Sequence, residues 1–379
     1  FRDCDPGAIP AFAMAYGLPV LVDMDMLESD HVFSASGCSS TLLKIPGLAF
    51  RVAMTGAIKG RIAKWPEVST GVLGEGVNVC SGSISLDAVA RKLERMYKLP
   101  PMPETAVRIM HLTANPDADV FQLASLIERD PSLSAQVMRY ARSALFNYRG
   151  ELSSIKDAVN IVLGFDRVSQ LSMGIAASKA FNIPNEGPLG LRCFWQHALY
   201  AGVLSQALAL LADPDLELNE KDAYLAGLLH NFGILLIGHL FPPEFKMLNK
   251  LRESDPEASM EDLEKQVFGM GGAQEFISLG HGSMGAILLK MWSLPDACIK
   301  SAAMHQTQGY QGDSEQYVNL VQLVNYYLAQ EGIGDEFIEY DPQPGLEKLG
   351  LDEEQVQALV AVCIEQCRSL DGMISHMAA

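Results

Sequence analysis

The chain has few basic side chains. It carries 28 Lys and Arg against 46 Asp and Glu, which gives a formal net charge of −18 at pH 7, and most of the excess lies in residues 86–379. Binding to a phosphate backbone depends on clustered Lys and Arg. We therefore expect no DNA partner for this protein.

Long apolar runs are absent as well. The chain has no 18 consecutive apolar residues, and it does not open with basic residues followed by an apolar stretch. A membrane-spanning helix needs about 20 predominantly apolar residues. A secretory leader needs a basic start followed by an apolar stretch. We therefore predict a cytoplasmic protein that does not bind a membrane. Because the chain begins at Phe1 rather than at Met, we also expect it to be part of something larger.

The sequence does not have the pattern of a disulfide framework. Its seven cysteines are odd in number and scattered, which is typical of free thiols in a reducing compartment. Cys363 and Cys367 lie four apart on one helical face and could ligate a metal, but no second pair is near them in sequence, so packing is the favoured interpretation. The sequence also has no phosphate-binding glycine loop and no nucleophile elbow.

Residues 1–54 contain short β-rich runs. Residues 19–25 and 31–37 are bounded by Gly, Pro and Asp, and a helical piece lies between Pro10 and Gly17. This pattern predicts a small α/β element. Residues 55–85, with a glycine- and serine-rich part near their end, favour a linker.

Residues 1–54 resemble the second half of the YbaK-type aminoacyl-tRNA deacylases, and residues 1–19 carry the motif. Gly7 and Pro10 fall where that family has a loop that holds the aminoacyl ester end of tRNA, although Ala11 stands where a further Pro is common. The resemblance implies that the parent protein edits mischarged tRNA. The part that carries the family's functional lysine would lie upstream, so an accessory α/β subdomain without chemistry is the favoured interpretation.

A helical period begins at Leu86. Apolar residues recur there at spacings of three and four, at Leu86, Val89, Ala90, Leu93, Met96 and Tyr97. Proline and aspartate predict helix starts at Pro103–Glu104 and Asp130–Pro131. The pattern predicts a mainly all-α domain over residues 86–379, with a loop over residues 332–350 and one amphipathic helix over residues 351–373.

Four histidines lie on or beside apolar helical segments of this domain. Residues 225–237 form an apolar run that contains His230 and Asn231, and three further histidines follow the same pattern: His197, His281 and His305. A buried imidazole or amide that lacks a partner costs roughly 1–3 kcal/mol. The four therefore form either a metal site or a hydrogen-bonded network in the core.

These residues resemble the HD superfamily of metal-dependent phosphohydrolases, in particular its HD-GYP and HDOD branches. His197 matches the first histidine of that pattern, and His230–Asn231 matches its His-Asp doublet. His281 lies where the pattern has its next helix. His305–Gln306 stands where the family often has His-His, and Asn325 where it has a final aspartate. Residues 98–103, 123–139 and 154–164 resemble the amino-terminal half of the HDOD family, although Arg142 replaces a usual asparagine. The resemblance implies a multi-helix HDOD domain over residues 86–379.

Both acidic positions of the pattern are amides here, at Asn231 and Asn325. A two-metal hydrolytic centre needs anionic ligands to hold the ions and offset their charge. Four imidazoles can still bind one divalent transition metal. We therefore assign no catalytic residue and expect no cofactor, with His197, His230, His281 and His305 as the candidate ligands if a single ion binds.

The resemblance implies a non-catalytic regulatory or interaction module of bacterial signal transduction. Its expected partner is a signalling protein or a nucleotide second messenger. The alternative is a metal-dependent phosphodiesterase with an atypical site at the four histidines. The two amides in place of acids favour the regulatory module.

Overall fold

The protein is described from a computed structural model. The structure describes residues 21–23, 31–35, 42–46, 58–60, 93, 97–267, 276, 279–334 and 340–377. The chain divides into two compact units, Phe1–Ser83 and Ile84–Ala379. Each unit is considered by itself below.

The first unit contains four short strands in its described residues. They are β1 Leu21–Asp23, β2 His31–Ala35, β3 Leu42–Pro46 and β4 Ile58–Gly60. Strands β1 and β4 pair in parallel, whereas β2 and β3 pair antiparallel with His31 opposite Pro46. Strand β4 falls inside the segment 55–85 that we interpreted as a linker. The helical piece at residues 10–17 and the YbaK-like segment 1–19 lie outside the described residues, so the α/β element remains a prediction.

The second unit is all-α in the residues that the structure describes, which confirms the predicted fold class. Its α-helices are α1 Glu104–Thr113, α2 Val120–Glu128, α3 Pro131–Ala141, α4 Ile155–Asp157, α5 Phe165–Ser178, α6 Leu191–Leu211, α7 Glu220–Leu229, α8 Phe232–Leu240, α9 Pro242–Ser254, α10 Met260–Val267, α11 Gly280–Met291, α12 Asp296–Met304, α13 Glu315–Gln330, α14 Gln343–Leu349, α15 Glu353–Cys367 and α16 Asp371–Met377. Helix α4 continues as a π-helical segment, Ala158–Leu163.

Two predicted helix starts are confirmed. Helix α1 begins at Glu104, directly after Pro103. Helix α3 begins at Pro131, and the Asp130 side chain accepts hydrogen bonds from the backbone N–H groups of Ser132 and Leu133 at 3.0 and 3.1 Å. The aspartate satisfies donors that have no partner within the helix, while proline occupies a position where no N–H is needed.

The carboxyl-terminal part differs from the prediction in two places. The segment 332–350, predicted as a loop, contains helix α14, because Leu346 and Leu349 are buried there and Pro342 suits the start of a helix. The single helix predicted over residues 351–373 is two helices, α15 and α16, separated by the 3₁₀ turn Arg368–Leu370. Leu370 in that turn is fully buried, so the turn is packed into the core.

Helix α6 is the centre of the second unit. It packs against α7, α13, α15 and α16, while α7 also packs against α12, and α8 against α11. Among the described residues, one stretch is long and apolar enough to cross a membrane, Glu220–Leu240, and 89% of its most apolar window is buried inside the unit. This stretch forms the core helices α7 and α8. It is not continuous, because the chain leaves the helix at Asn231.

Candidate functional site

His230 and Asn231 lie at the break between α7 and α8. The His230 backbone N–H still bonds the Ala226 carbonyl oxygen at 3.0 Å, but Asn231 has φ −94° and ψ 12° and ends the helical path. The Nδ1 of His230 lies 2.8 Å from the Gly227 carbonyl oxygen. Because a carbonyl oxygen only accepts hydrogen bonds, Nδ1 carries the proton and donates. The Nε2 of neutral His230 is then an acceptor.

The structure brings all four candidate histidines together. The Nε2 atoms of His197, on α6, and His230 lie 3.1 Å apart. The Nε2 atoms of His281, on α11, and His305, after α12, also lie 3.1 Å apart. The rings of His230 and His305 connect the two pairs, with centroids separated by 5.1 Å. All four side chains are buried.

Hydrogen bonds also hold the Nδ1 atoms of His305 and His281, which point away from the other rings and are called their outer nitrogens below. His305 Nδ1 lies 2.9 Å from the Ala302 carbonyl oxygen and donates to it. His281 Nδ1 lies 2.7 Å from Glu264 Oε1, and the same oxygen accepts from the His281 backbone N–H at 3.0 Å. Each of these bonds fixes the orientation of a ring and directs its Nε2 toward the other histidines.

Glu264 is the site residue that the sequence interpretation missed. It lies on α10 and is buried, and its carboxylate contacts the outer nitrogen of His281 rather than the space between the rings. One signal was present in the sequence. Glu264 shares a helical face with the buried residues Met260, Leu263 and Val267, and an acidic residue on an apolar face indicates a partner in the core.

The two amides stand at buried positions. Asn231 is 3% and Asn325 4% exposed. Asn325 lies on α13. This helix packs against α6, which carries His197, and against α12, which ends just before His305. Within the part of the chain that the structure describes, the Asn325 Oδ1 has no hydrogen-bond partner. An unpaired neutral oxygen at this depth destabilises the fold by about 1–3 kcal/mol.

The pKa of His230 is held well below its usual range. Burial is the main cause, and the nearby His197 and His305 lower the pKa further, whereas the hydrogen bond to Gly227 acts in the opposite direction. Since a positive charge on His230 would be desolvated and close to other imidazoles, the ring is neutral at pH 7.

These residues do not fit the two-metal centre of a hydrolase. In the described residues, no group of three or more His, Cys, Asp or Glu side chains is arranged to hold a metal ion. Neutral amides occupy both positions where the HD pattern has carboxylates, and Glu264 is directed to the outer nitrogen of His281. A bridging carboxylate and the negative charge that would balance two ions are therefore both missing from the residues that we can place.

A family model for the HDOD domain matches residues 99–308. This range is more than half of the chain and contains all four histidines and Glu264, whereas Asn325 lies beyond it. The chain belongs to the HDOD family. The sequence resemblance of residues 86–379 to this family is thus confirmed for the matched range.

Solved structures resemble this HDOD protein over most of its length. A protein from Marinobacter aquaeolei VT8, described as a signal transduction protein, is 30% identical, covers 98% of this chain and 81% of its own, and has a TM-score of 0.66. An HDOD domain protein of unknown function from Geobacter sulfurreducens is 24% identical over 76% of this chain and 97% of its own, with a TM-score of 0.60.

Two further proteins are also similar to this chain. A protein from Shewanella amazonensis SB2B described as a phosphohydrolase is 20% identical over 76% of this chain and 98% of its own, with a TM-score of 0.57, and shows the shared fold alone. An uncharacterized protein from Treponema pallidum (strain Nichols) is 24% identical over 233 residues, 62% of this HDOD chain. The chain spans 42% of that relative's length. These comparisons give no support to the YbaK-type resemblance of residues 1–54.

Proposed function

We propose that this HDOD protein is a non-catalytic regulatory module of bacterial signal transduction, which acts in the cytoplasm by binding a signalling protein or a nucleotide second messenger. Membership of the family supports the proposal, as does the similarity to the Marinobacter protein described as a signal transduction protein. The YbaK-type resemblance of residues 1–54 has no part in it.

One observation carries the proposal. The two positions at which a hydrolytic HD centre needs acids are the buried amides Asn231 and Asn325, and the buried acid Glu264 is bonded to His281 Nδ1. A metal activates water by lowering its pKa, and it needs ligands that balance its charge. The cluster has instead the features of a hydrogen-bonded core network: the rings of His230, His281 and His305 are held at Nδ1, and the four rings pack against each other.

The alternative is a phosphodiesterase with an atypical site. It is favoured by the Nε2 separations of 3.1 Å in the pairs His197–His230 and His281–His305. Two imidazole nitrogens at this distance share a proton or a cation, because two lone pairs would repel. A single divalent transition metal held by these four histidines is the form that this alternative takes.

Elemental analysis and turnover assays separate the two functions. The protein is purified without chelator, analysed for bound metal, and assayed on cyclic dinucleotides and bis(p-nitrophenyl) phosphate with added Mn²⁺ or Fe²⁺. We expect substoichiometric metal and no turnover above that of the His230→Ala variant. His111→Ala, at an exposed histidine, is the matched control. Stoichiometric metal together with turnover that disappears in His230→Ala but not in His111→Ala would replace the regulatory module with the hydrolase.

A further inference from the structure

A cavity lies in the second unit, and none of the four histidines lines it. It has a volume of about 370 Å³, is open to solvent on one side, and is lined by residues of α1, α5 and α7 together with residues 114 and 293–295. Its wall is mainly apolar, with these residues among its lining: Met110, Gln170, Met173, Asp222, Leu225 and Leu294. Small-molecule sites in proteins have volumes of roughly 300–1,000 Å³ and combine apolar walls with a few polar groups. This cavity therefore has the size and composition of a site for a small ligand.

Asp222 brings a negative charge to this apolar wall. It is the third residue of α7 and is half-buried. Among the residues that the structure describes, its carboxylate forms no ion pair and no side-chain hydrogen bond. The adjacent cation, Lys221, is engaged elsewhere, because its Nζ lies 2.7 Å from Asp166 Oδ2. The carboxylate is thus available to a ligand.

The other titratable groups around Asp222 do not balance its charge. Burial raises the pKa of Cys298 on α12 and of Tyr317 on α13, and the negative charge of Asp222 raises both further. Both side chains are therefore neutral at pH 7. Burial likewise raises the pKa of Asp222 itself, and the positive charge of Lys221 offsets that rise only in part. The ionised carboxylate therefore lacks solvation and would be stabilised by a bound cation.

A hydrogen bond between α5 and α7 holds the part of the cavity wall around Asp222 in place. Gln170 Nε2 on α5 donates to the Lys221 carbonyl oxygen on α7 at 2.9 Å, which holds the first turn of α7 against α5. Met110 and Met173 line the cavity nearby, and methionine adapts to ligand shape through its flexible, polarisable side chain. The charged end of the site is thus positioned by the fold, while its apolar part can adjust.

We propose that this cavity binds a small organic cation, a protonated amine or an amidinium, whose charged group pairs with Asp222 and whose apolar body lies against Met110, Met173 and Leu225. The site is separate from the histidine cluster: Asp222 and His230 lie eight residues apart on α7 and its end, roughly 12 Å along a helix. The proposal does not rest on the regulatory function and stands whether or not the histidines hold a metal.

Calorimetric titration of the full chain with benzylamine and benzamidine at low ionic strength tests the proposal. Benzyl alcohol, which has the same apolar body without the charge, is the matched ligand control. We expect saturable binding of the two cations that weakens at least tenfold in Asp222→Asn, and weaker binding of the alcohol. Glu220→Gln, in the same turn of α7 but outside the cavity lining, should bind like the unmodified protein. Equal affinity for the alcohol, or unchanged affinity in Asp222→Asn, would refute the proposal.

A second variant tests the location. Ala114 is exposed and lines the cavity, so Ala114→Trp places a large ring at its opening without altering the carboxylate. We expect this variant to lose benzylamine binding while it keeps the circular dichroism spectrum and the urea midpoint of the unmodified protein. Retained binding in folded Ala114→Trp, or absence of saturable cation binding to the unmodified chain, would overturn the assignment even if Asp222→Asn failed to fold.

Discussion

A Cβ atom placed on Gly233 would lie 1.8 Å from the backbone carbonyl oxygen of His281. The backbones of α8 and α11 are thus in direct contact, three residues after His230. The facing residue on α11 is also small, because Gly285 would meet the backbone of Gly233 at 3.0 Å. Glycine at these positions lets the backbones of the two helices approach closely next to His281 and three residues after His230.

Gly233→Ala should therefore separate α8 from α11. Overpacking of a core costs about 1–3 kcal/mol and occasionally more, and here the contact is with backbone that cannot rotate away. We expect the free energy of unfolding, measured with urea, to fall by about 3 kcal/mol or more. Gly372→Ala on α16 is the control, since a Cβ there meets nothing within 4 Å. A Gly233→Ala variant as stable as Gly372→Ala would contradict the close packing of these helices.

Glu264→Ala should leave the His281 Nδ1–H without its acceptor. A buried donor without a partner costs about 1–3 kcal/mol, so we expect a loss of that size in the free energy of unfolding. Glu261→Ala on the same helix removes an exposed i,i+4 ion pair with Lys265, and solvent screening makes the contribution of such a pair to stability much smaller. Similar losses in the two variants would show that Glu264 does not support His281.

Stability should fall as the pH drops below about 6.5. The pKa of His230 is lowered in the folded state from its ordinary value of 6.5, so below that pH the unfolded chain binds a proton that the folded chain does not. Stability therefore rises with pH in this window, by up to about 1.4 kcal/mol per pH unit from this one group. Urea titrations between pH 5 and 7.5 should give a shallower slope for His230→Gln. The control His111→Gln, at an exposed position, should keep the slope of the unmodified protein.

Asn231→Asp combined with Asn325→Asp restores both acids of the HD pattern. Without metal, we expect the double variant to melt below the unmodified protein, because each new carboxylate is buried. Added Mn²⁺ should raise its melting temperature, since the acids can then balance the charge of the ion. Asn231→Asp with Asn319→Asp is the matched control, because Asn319 is similarly buried on α13 but is not part of the HD pattern. Equal responses to Mn²⁺ would argue against Asn325 as a site position.

The histidines could be found from the sequence because each interrupts or borders an apolar helical run, where a polar side chain needs an explanation. Their order matched a known pattern, so their meeting in space could be anticipated from the pattern. The break between α7 and α8 could not be anticipated from the sequence. The pattern of residues 225–237 is that of one helix. The turn at Asn231 is followed by close packing of Gly233 against α11, a contact between distant parts of the chain that no local pattern encodes.

Glu264 and Asp222 show a second limit of prediction from sequence: the surroundings of an acidic side chain. An acidic residue in the first turn of a helix, such as Asp222, is expected there because it complements the helix dipole, and sequence alone does not reveal the cavity beside it. Glu264 lay on an apolar face, a usable signal, but its partner His281 lies 17 positions away across residues outside the described range. Charged residues are mostly solvent-exposed, so the fold is needed to identify the partners of the few that are buried.

The position of α6 at the centre of the unit determines which fragments of this protein can remain soluble on their own. The family match ends at residue 308, but helices α13, α15 and α16 lie beyond it and pack against α6. A fragment cut at that boundary would present the side of α6 that these helices cover to water. Newly exposed apolar surface of this kind promotes self-association. Aggregation of such a fragment would thus reflect the missing carboxyl-terminal helices rather than instability of the histidine cluster.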